Sequence, residues 1–156
     1  MTTDAVVDTA VLAPDLSDRL RRRLASSPAL GWLRPSLEEL RPDFCVLKLP
    51  YRTEVTNGSG TVHGGVLAAL ADTAVAFALS TNFGGKMGFA TADLTIHFLR
   101  RARGDVFARA RILKKGKRVN VGEVDLVDAG GALVARVLAT FLLTTSSFDY
   151  APEGKP

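Results

Sequence analysis

The sequence is poor in the residues that stabilise secreted proteins and bind metals. Its 156 residues include one cysteine, Cys45, and two histidines, His63 and His97. No disulfide can form within the chain, and two histidines far apart with no cysteine nearby do not indicate a zinc site. The first 16 residues carry no lysine or arginine, unlike a signal peptide, and no apolar run is long enough to span a bilayer. We therefore expect a cytoplasmic protein with no metal and no membrane association.

Aromatic residues are also few, at 7% of the chain, and the formal net charge is only +4. No motif combines basic and aromatic residues, so the charge is compatible with an anionic small ligand but does not indicate nucleic acid. Hydrophobic residues make up 47% and charged residues 23%, as in soluble globular domains. We predict an N-terminal tail and helix over residues 1–36, one folded domain over 37–145 and a flexible C-terminal tail over 146–156.

The N-terminal segment predicts a helix that begins near Pro14, after a loose tail at residues 1–12. Leu16, Leu20 and Leu24 recur at four-residue spacing and form its apolar stripe. The arginines around the stripe are interpreted as a solvated face, with an anion-binding or membrane-binding patch as the alternative. These are Arg19, Arg21, Arg22 and Arg23. Four residues are predicted to end the helix and anchor it to the domain: Pro28, Gly31, Trp32 and Leu33.

The domain is organised around residues 57–79, NGSGTVHGGVLAALADTAVAFAL, which open with four glycines among small polar residues. Residues 66–79 contain no proline or glycine and predict a helix of about four turns, with Thr61 or His63 at its start. Because this run is apolar on nearly every side, we expect the helix to be buried all round. A buried carboxylate with no partner one turn away is costly, which marks Asp72 as a candidate catalytic group.

After the helix the hydrophobic period changes to two residues, which predicts strands. The predicted strands are residues 37–51, 88–99, 105–113, 118–127 and 132–144, with hairpin turns at 114–117 and 128–131. Strict alternation places Leu94 and Phe98 on one face of the strand 88–99, and Thr91 and His97 on the other. The fold class is therefore α+β, with an antiparallel sheet, its last four strands in a meander, wrapped around one long central helix.

The glycine-rich loop does not fit the phosphate-binding motifs. The spacing from Gly58 departs from G-x-G-x-x-G, and Lys86 lacks both the upstream glycine and the following Ser or Thr of a P-loop. Exposed amides at a helix start are a better interpretation, because the N–H groups of Gly64 and Gly65 can polarise a carbonyl and hold a developing oxyanion.

Two other reactive side chains are interpreted as structural. Cys45 lies in an apolar stretch with no histidine nearby, so we expect a small buried residue rather than a nucleophile. His97 lies within a predicted strand and is assigned no chemistry.

The combination of Asn57, His63-Gly64-Gly65 and Asp72, nine residues after the histidine, resembles the hotdog-fold thioesterases of the phenylacetate-degradation (PaaI-like) group. The stretches ATADL and IHFL of residues 90–99, and the strand pattern that follows, are also similar to this family. The resemblance covers roughly residues 37–145, which makes this segment the predicted hotdog thioesterase domain. The sequence departs from the family at Arg101, where proline is frequent.

The resemblance implies hydrolysis of an aryl- or medium-chain acyl-CoA at sites shared between two subunits, which join their sheets edge to edge in a dimer of dimers. The acid at Asp72 is implied to be the nucleophile or the base that activates water. Asn57 is implied to orient the water or the thioester, the Gly64 amide to polarise the carbonyl, and the Thr91 hydroxyl to support the acid. Coenzyme A is part of the substrate, and no separate cofactor is implied.

Several residues carry two interpretations each. His63 is either a helix-start residue that hydrogen-bonds the loop or a group that transfers a proton. Gly65 and the basic turn after residue 113 are candidate contacts of the coenzyme A moiety, since charge-assisted contacts hold phosphates strongly. The basic candidates are Lys114, Lys117 and Arg118. The alternative for them is solubilising charge at the tip of a hairpin.

Two rival functions are retained. A hotdog dehydratase or hydratase pairs a histidine with a helix acid, and His63 with Asp72 is a loose match, although the proline-containing loop expected after the histidine is absent. A non-catalytic acyl-CoA-binding regulator is the second rival, although residues 1–36 show no helix-turn-helix pattern.

Overall fold

The computed structural model describes residues 12–83 and 88–144. Within them, the helices are α1 (Leu16–Ser26), α2 (Pro28–Leu33) and α3 (Gly64–Ser80), and none of these is long and apolar enough to cross a membrane. The strands are β1 (Ser36–Arg41), β2 (Phe44–Leu49), β3 (Gly88–Phe98), β4 (Val106–Lys114), β5 (Val119–Asp128) and β6 (Leu133–Thr144). The predicted C-terminal tail and nearly all of the N-terminal tail lie outside the described residues.

The six strands of the described segments form one antiparallel sheet in the order β1-β2-β4-β5-β6-β3. The predicted meander holds for β4, β5 and β6 but is wrong for β3, which pairs with β6 and lies at the edge of the sheet. β4 pairs with β2 instead. Hydrophobic alternation specifies that a segment is a strand but does not specify which strand it pairs with. Here α3 connects β2 to β3, which lies at the edge of the sheet opposite β1.

The segment predicted as one strand over residues 37–51 is a hairpin of β1 and β2. Arg41 lies opposite Phe44, and Asp43 makes the turn with a φ of 60°. Aspartate tolerates this left-handed conformation, so the turn needs no glycine to mark it. The alternating pattern is also weak in β1, where Leu37 is the buried residue.

The N-terminal helix is confirmed, with Leu16, Leu20 and Leu24 buried in the core. Pro28 does not simply end this helix, because it also begins α2, where proline suits the first helical position. Of the two predicted anchors, Leu33 is 2% exposed but Trp32 is 55% exposed. Trp32 is therefore a surface residue.

Helix α3 packs against β2, β4 and β5 as the centre of the core. The close approach of α3 to β5 depends on Gly122 of that strand, where an added Cβ would lie 2.7 Å from Cγ1 of Val75 in α3. The expectation that α3 is buried all round is wrong for the single chain: Gly65 and Ala69 are exposed and Asp72 is only half-buried. We call this side of α3, with Gly65, Ala69 and Asp72, its open face. It borders β3, which is the edge strand of the sheet.

Candidate active site

The carboxylate of Asp72 receives a hydrogen bond from β3. Thr91 Oγ1 donates to Asp72 Oδ1 at 2.7 Å, which joins the middle of α3 to the edge strand. A hydroxyl donor fixes the direction of the carboxylate and leaves its second oxygen to act on a substrate or a water. The structure therefore brings together two of the residues singled out from the sequence.

A β-bulge makes this contact possible. Thr91 lies opposite Phe141, whereas Asp93 lies opposite Thr140, so Ala92 is an extra residue in β3. Phe141 is buried on the side of the sheet that α3 covers, and Thr91 shares that side. The prediction that Thr91 lies on the other face from Leu94 is wrong, because strict alternation does not continue through a bulge.

The start of α3 is capped by His63. Nδ1 of His63 accepts the Gly65 N–H at 2.9 Å, so a neutral His63 carries its proton on Nε2. The Gly65 amide is thereby occupied and does not face a substrate while the cap is formed. For the Gly64 N–H, no acceptor is found among the residues that the structure describes, as is usual for the first amides of a helix.

Asn57 lies at the surface, where its amide oxygen organises the loop before α3. Oδ1 of Asn57 accepts from the N–H and the hydroxyl of Ser59, at 3.0 and 2.7 Å, and from the Thr61 hydroxyl at 3.0 Å. Because backbone N–H groups donate to this atom, it must be the oxygen. The side-chain NH₂ of Asn57 therefore points away from the loop as a donor.

Two aromatic residues support this end of the site and were not identified from the sequence. The Tyr51 hydroxyl donates to Gly60 O at 2.7 Å and ties β2 to the loop of Asn57. The Phe98 ring lies against Gly64, where an added Cβ would meet Phe98 Cζ at 3.1 Å. No sequence pattern reveals either contact, because Tyr51 and Gly60 are nine residues apart and Phe98 and Gly64 are more distant still. The Asx-type turn of Asn57, in contrast, is typical of an Asn-Gly-Ser sequence.

Gly64 and Asp72 are well separated within one chain. Eight residues of α-helix rise by about 12 Å, so the Gly64 N–H and the Asp72 carboxylate cannot both contact one carbonyl group. The structure thus divides the predicted site residues into two groups. Asn57, His63 and Gly64 lie at the start of α3, and Asp72 and Thr91 lie near its middle.

Three of the four predicted coenzyme A contacts lie near the second group, whereas Gly65 lies at the start of α3 with the first. Asn120, just after the basic turn, is opposite Phe141, which is itself opposite Thr91. Two strand spacings, roughly 10 Å, therefore separate Asn120 from Thr91 across the sheet. Lys114, Lys117 and Arg118 are exposed there.

The remaining candidates lie apart from these groups. Cys45 is fully buried in β2, and burial, with a smaller effect of Glu39, raises the pKa of its thiol to about 12. A thiol with such a pKa is inert at neutral pH. His97 lies opposite Arg136 on the face of β3 that points away from α3.

The chain is similar to known proteins both in sequence and in fold. A family model described as the thioesterase superfamily matches residues 59–135. A putative esterase of Halobacterium salinarum is 37% identical over 103 residues, which are 63% of this chain and 68% of that protein. The acyl-coenzyme A thioesterase PaaI of Escherichia coli is 34% identical over 113 residues, which are 71% of this chain and 76% of that protein.

The solved structure of Escherichia coli PaaI has the same fold, with a TM-score of 0.78. The match covers 88% of this chain and 99% of that chain at 22% identity. The chain belongs to the thioesterase superfamily and is a PaaI-like hotdog thioesterase, which confirms the family, the hotdog fold and the thioester-hydrolase class predicted from its sequence.

Proposed function

We propose that this protein hydrolyses acyl-CoA thioesters, with Asp72 as the group that acts on the thioester. The observation that carries the proposal is the 2.7 Å hydrogen bond from Thr91 to Asp72 on the open face of α3. A carboxylate held in this way either attacks the carbonyl carbon or removes a proton from the attacking water. In both routes the C–S bond breaks and the coenzyme A thiolate leaves. In the first route the acyl group is left on Asp72 as an anhydride, which water then hydrolyses to the free acid.

The Gly64 N–H is the proposed donor to the carbonyl oxygen. It is a helix-start amide without an acceptor among the described residues, so it can bind the negative charge that develops on the oxygen. The NH₂ group of Asn57 is a second donor, which orients the thioester or the water. His63 acts through its cap on Gly65, which fixes the first turn of α3, and takes no part in proton transfer.

A complete site requires two subunits. Because about 12 Å of helix separates the Gly64 amide from Asp72, we propose that Gly64 and Asn57 of one chain face Asp72 and Thr91 of another. The edge strand β3 supports this arrangement: most of its residues are exposed, and an unpaired edge is suited to antiparallel pairing with a second β3. A dimer of dimers is the proposed assembly.

The substrate is proposed to combine an apolar acyl group with coenzyme A. The Phe98 ring, 55% exposed, gives the site an apolar wall beside the Gly64 amide. Lys114, Lys117 and Arg118 are the proposed phosphate contacts, since they are exposed at the end of the sheet nearest Thr91. The Escherichia coli relative is named an acyl-coenzyme A thioesterase, which supports this substrate class. Aryl and medium-chain acyl groups are the proposed specificity, and a cytoplasmic location suits the reduced, buried Cys45.

The proposal is tested by measuring thiol release from short, medium, long and aryl acyl-CoAs, with wild type and Asp72→Asn in parallel. We expect turnover by the wild type that falls about 10²- to 10⁴-fold in Asp72→Asn, as for loss of a general base or nucleophile. Equal turnover by both proteins would disprove the role of Asp72. Enoyl product without thiol would indicate the dehydratase, and tight binding of acyl-CoA without turnover would indicate the regulator.

A further inference from the structure

A cleft lies outside the segment that matches the thioesterase family. It has a volume of about 380 Å³ and is formed between α1, α2 and β1. Pockets that bind small molecules start at roughly 300 Å³, so the cleft is large enough for a small ligand. Its lining includes two arginines, three leucines and a serine: Arg21, Leu24, Leu30, Arg34, Ser36 and Leu37.

The mouth of the cleft is basic. Arg21 and Arg34 are exposed, and the lining contains no carboxylate among the residues that the structure describes. Glu38 accepts the Ser36 hydroxyl at 2.5 Å, so one carboxylate lies beside the lining. Two guanidinium groups against this one carboxylate leave a net positive charge, which favours an anion at this position.

The surrounding backbone fixes the side chain of Arg21 and the main chain of Arg34. Nη1 of Arg21 donates to Leu37 O at 2.7 Å, which fixes the side chain across the cleft. Arg34 is the C-terminal cap of α2 with a φ of 53°, and its N–H donates to Leu30 O at 2.7 Å. Glycine or asparagine is the usual residue in this left-handed conformation, which costs other residues on the order of 1 kcal/mol. Arg34 therefore occupies a backbone conformation that is costly for arginine.

The interior of the cleft is apolar. Leu24 and Leu37 are buried in its wall, and Leu30 is half-buried. A small inorganic anion would leave this surface uncovered, and a neutral hydrocarbon would offer no acceptor to the guanidinium N–H groups other than the one that Arg21 donates to Leu37 O. The ligand that satisfies both parts has a single anionic head on an apolar body.

We infer that this cleft binds an amphipathic monocarboxylate, with the carboxylate at Arg21 and Arg34 and the alkyl chain over Leu24, Leu30 and Leu37. Planar guanidinium groups match carboxylates through paired hydrogen bonds. The site does not include Asp72 or any other residue of the proposed active site, so its occupancy does not require turnover. Carboxylic acids are also the products of thioester hydrolysis, which makes an acid released by this class of reaction a chemically suitable ligand.

The test uses octanoate as the probe and isothermal titration calorimetry on the full chain. Trp32 fluorescence is a second readout, because this residue of α2 lies next to Gly31 of the lining and is the one tryptophan of the chain. The variant is Arg34→Asn, since asparagine accepts the left-handed conformation and the fold is retained. The matched control is Arg22→Asn, which alters an exposed arginine of α1 that does not line the cleft.

We expect octanoate to bind wild type, Arg22→Asn and Asp72→Asn with similar affinity, and Arg34→Asn about tenfold more weakly or worse. Octanol lacks the charge and inorganic phosphate lacks the alkyl chain. Each should therefore bind wild type no more tightly than octanoate binds Arg34→Asn. Equal octanoate affinity in Arg34→Asn and wild type would overturn the inference, as would phosphate binding as tight as that of octanoate. Retained binding in Asp72→Asn separates this site from the active site even if the proposed reaction is wrong.

Discussion

Thr91 reaches Asp72 because Ala92 forms a bulge in β3. The bulge brings Thr91 onto the same face of the sheet as Leu94 and places its hydroxyl 2.7 Å from Asp72 Oδ1. Bulges are frequent beside active sites, where they redirect a side chain that regular alternation would turn away. The edge of the sheet thus positions a carboxylate that belongs to the central helix.

Replacement of Thr91 by valine removes the hydrogen bond and keeps the shape of the side chain. A hydrogen bond to a charged group contributes about 1.5–3 kcal/mol, so we expect Thr91→Val to lower kcat by about ten- to a hundredfold. Thr91→Ser keeps a hydroxyl and should retain most of the activity. Steady-state thiol release with both variants checks this, and a Thr91→Val enzyme as active as Thr91→Ser would show that the bond has no role in turnover.

Replacement of Asn57 by aspartate separates the two functions of this residue, which are to accept hydrogen bonds from the loop and to donate one to the substrate or water. The carboxylate can accept the same hydrogen bonds from Ser59 and Thr61, so the loop and the melting temperature should be preserved. The NH₂ donor is lost, and we expect turnover to fall by about 10²- to 10³-fold, as for loss of an oxyanion donor. Thermal unfolding and thiol release are measured on the same samples. A large fall in melting temperature, or unchanged turnover, would contradict this division of roles.

Cys45 should be unreactive in the folded protein. Its pKa of about 12 and its full burial leave almost no accessible thiolate at neutral or mildly alkaline pH. We expect no iodoacetamide adduct by mass spectrometry under native conditions, one adduct after unfolding in guanidinium, and unchanged turnover in Cys45→Ala. Rapid native labelling, or loss of turnover in Cys45→Ala with the fold intact, would support a nucleophilic role.

Much of the fold was predictable because its signals are local. The leucine spacing of α1, the apolar run of α3 and the alternation of β4 to β6 each specify an element from neighbouring residues. The two-strand hairpin of β1 and β2 was missed because β1 is mostly exposed and Asp43 makes the turn without glycine. The position of β3 at the edge could not be predicted, since it depends on pairing between strands far apart in sequence.

The roles of the candidate site residues stay predictions, and only some of their contacts could be foreseen. Asn57, Gly64 and Asp72 belong to one short motif that resembles the family. In the structure Asn57 lies in the loop before α3, Gly64 begins the helix and Asp72 lies near its middle. The bulge at Ala92 was not predicted, because nothing in the sequence ATADL interrupts its alternation. The contact of Phe98 with Gly64 was not predicted either, since it joins the end of β3 to the start of α3.

The proposed division of the site between two subunits is tested most directly by complementation of inactive variants. Asp72→Asn removes the acid, and Gly64→Pro removes the amide donor at a position where proline suits the helix. In Gly64→Pro the nearest obstacle is the tip of the half-exposed Phe98 side chain, which can rotate aside. Circular dichroism is the control that each variant is folded. Each variant alone should be nearly inactive.

The deciding measurement is thiol release after the two variants are unfolded together and refolded as mixed oligomers. Half of the dimers should then contain both chains, and one of their two sites combines an intact Asp72 with an intact Gly64. We predict that activity returns to roughly a quarter of the wild-type value, whereas either variant refolded alone stays inactive. A mixture that stays as inactive as its parents, with mixed dimers shown by mass, would contradict a site shared between subunits.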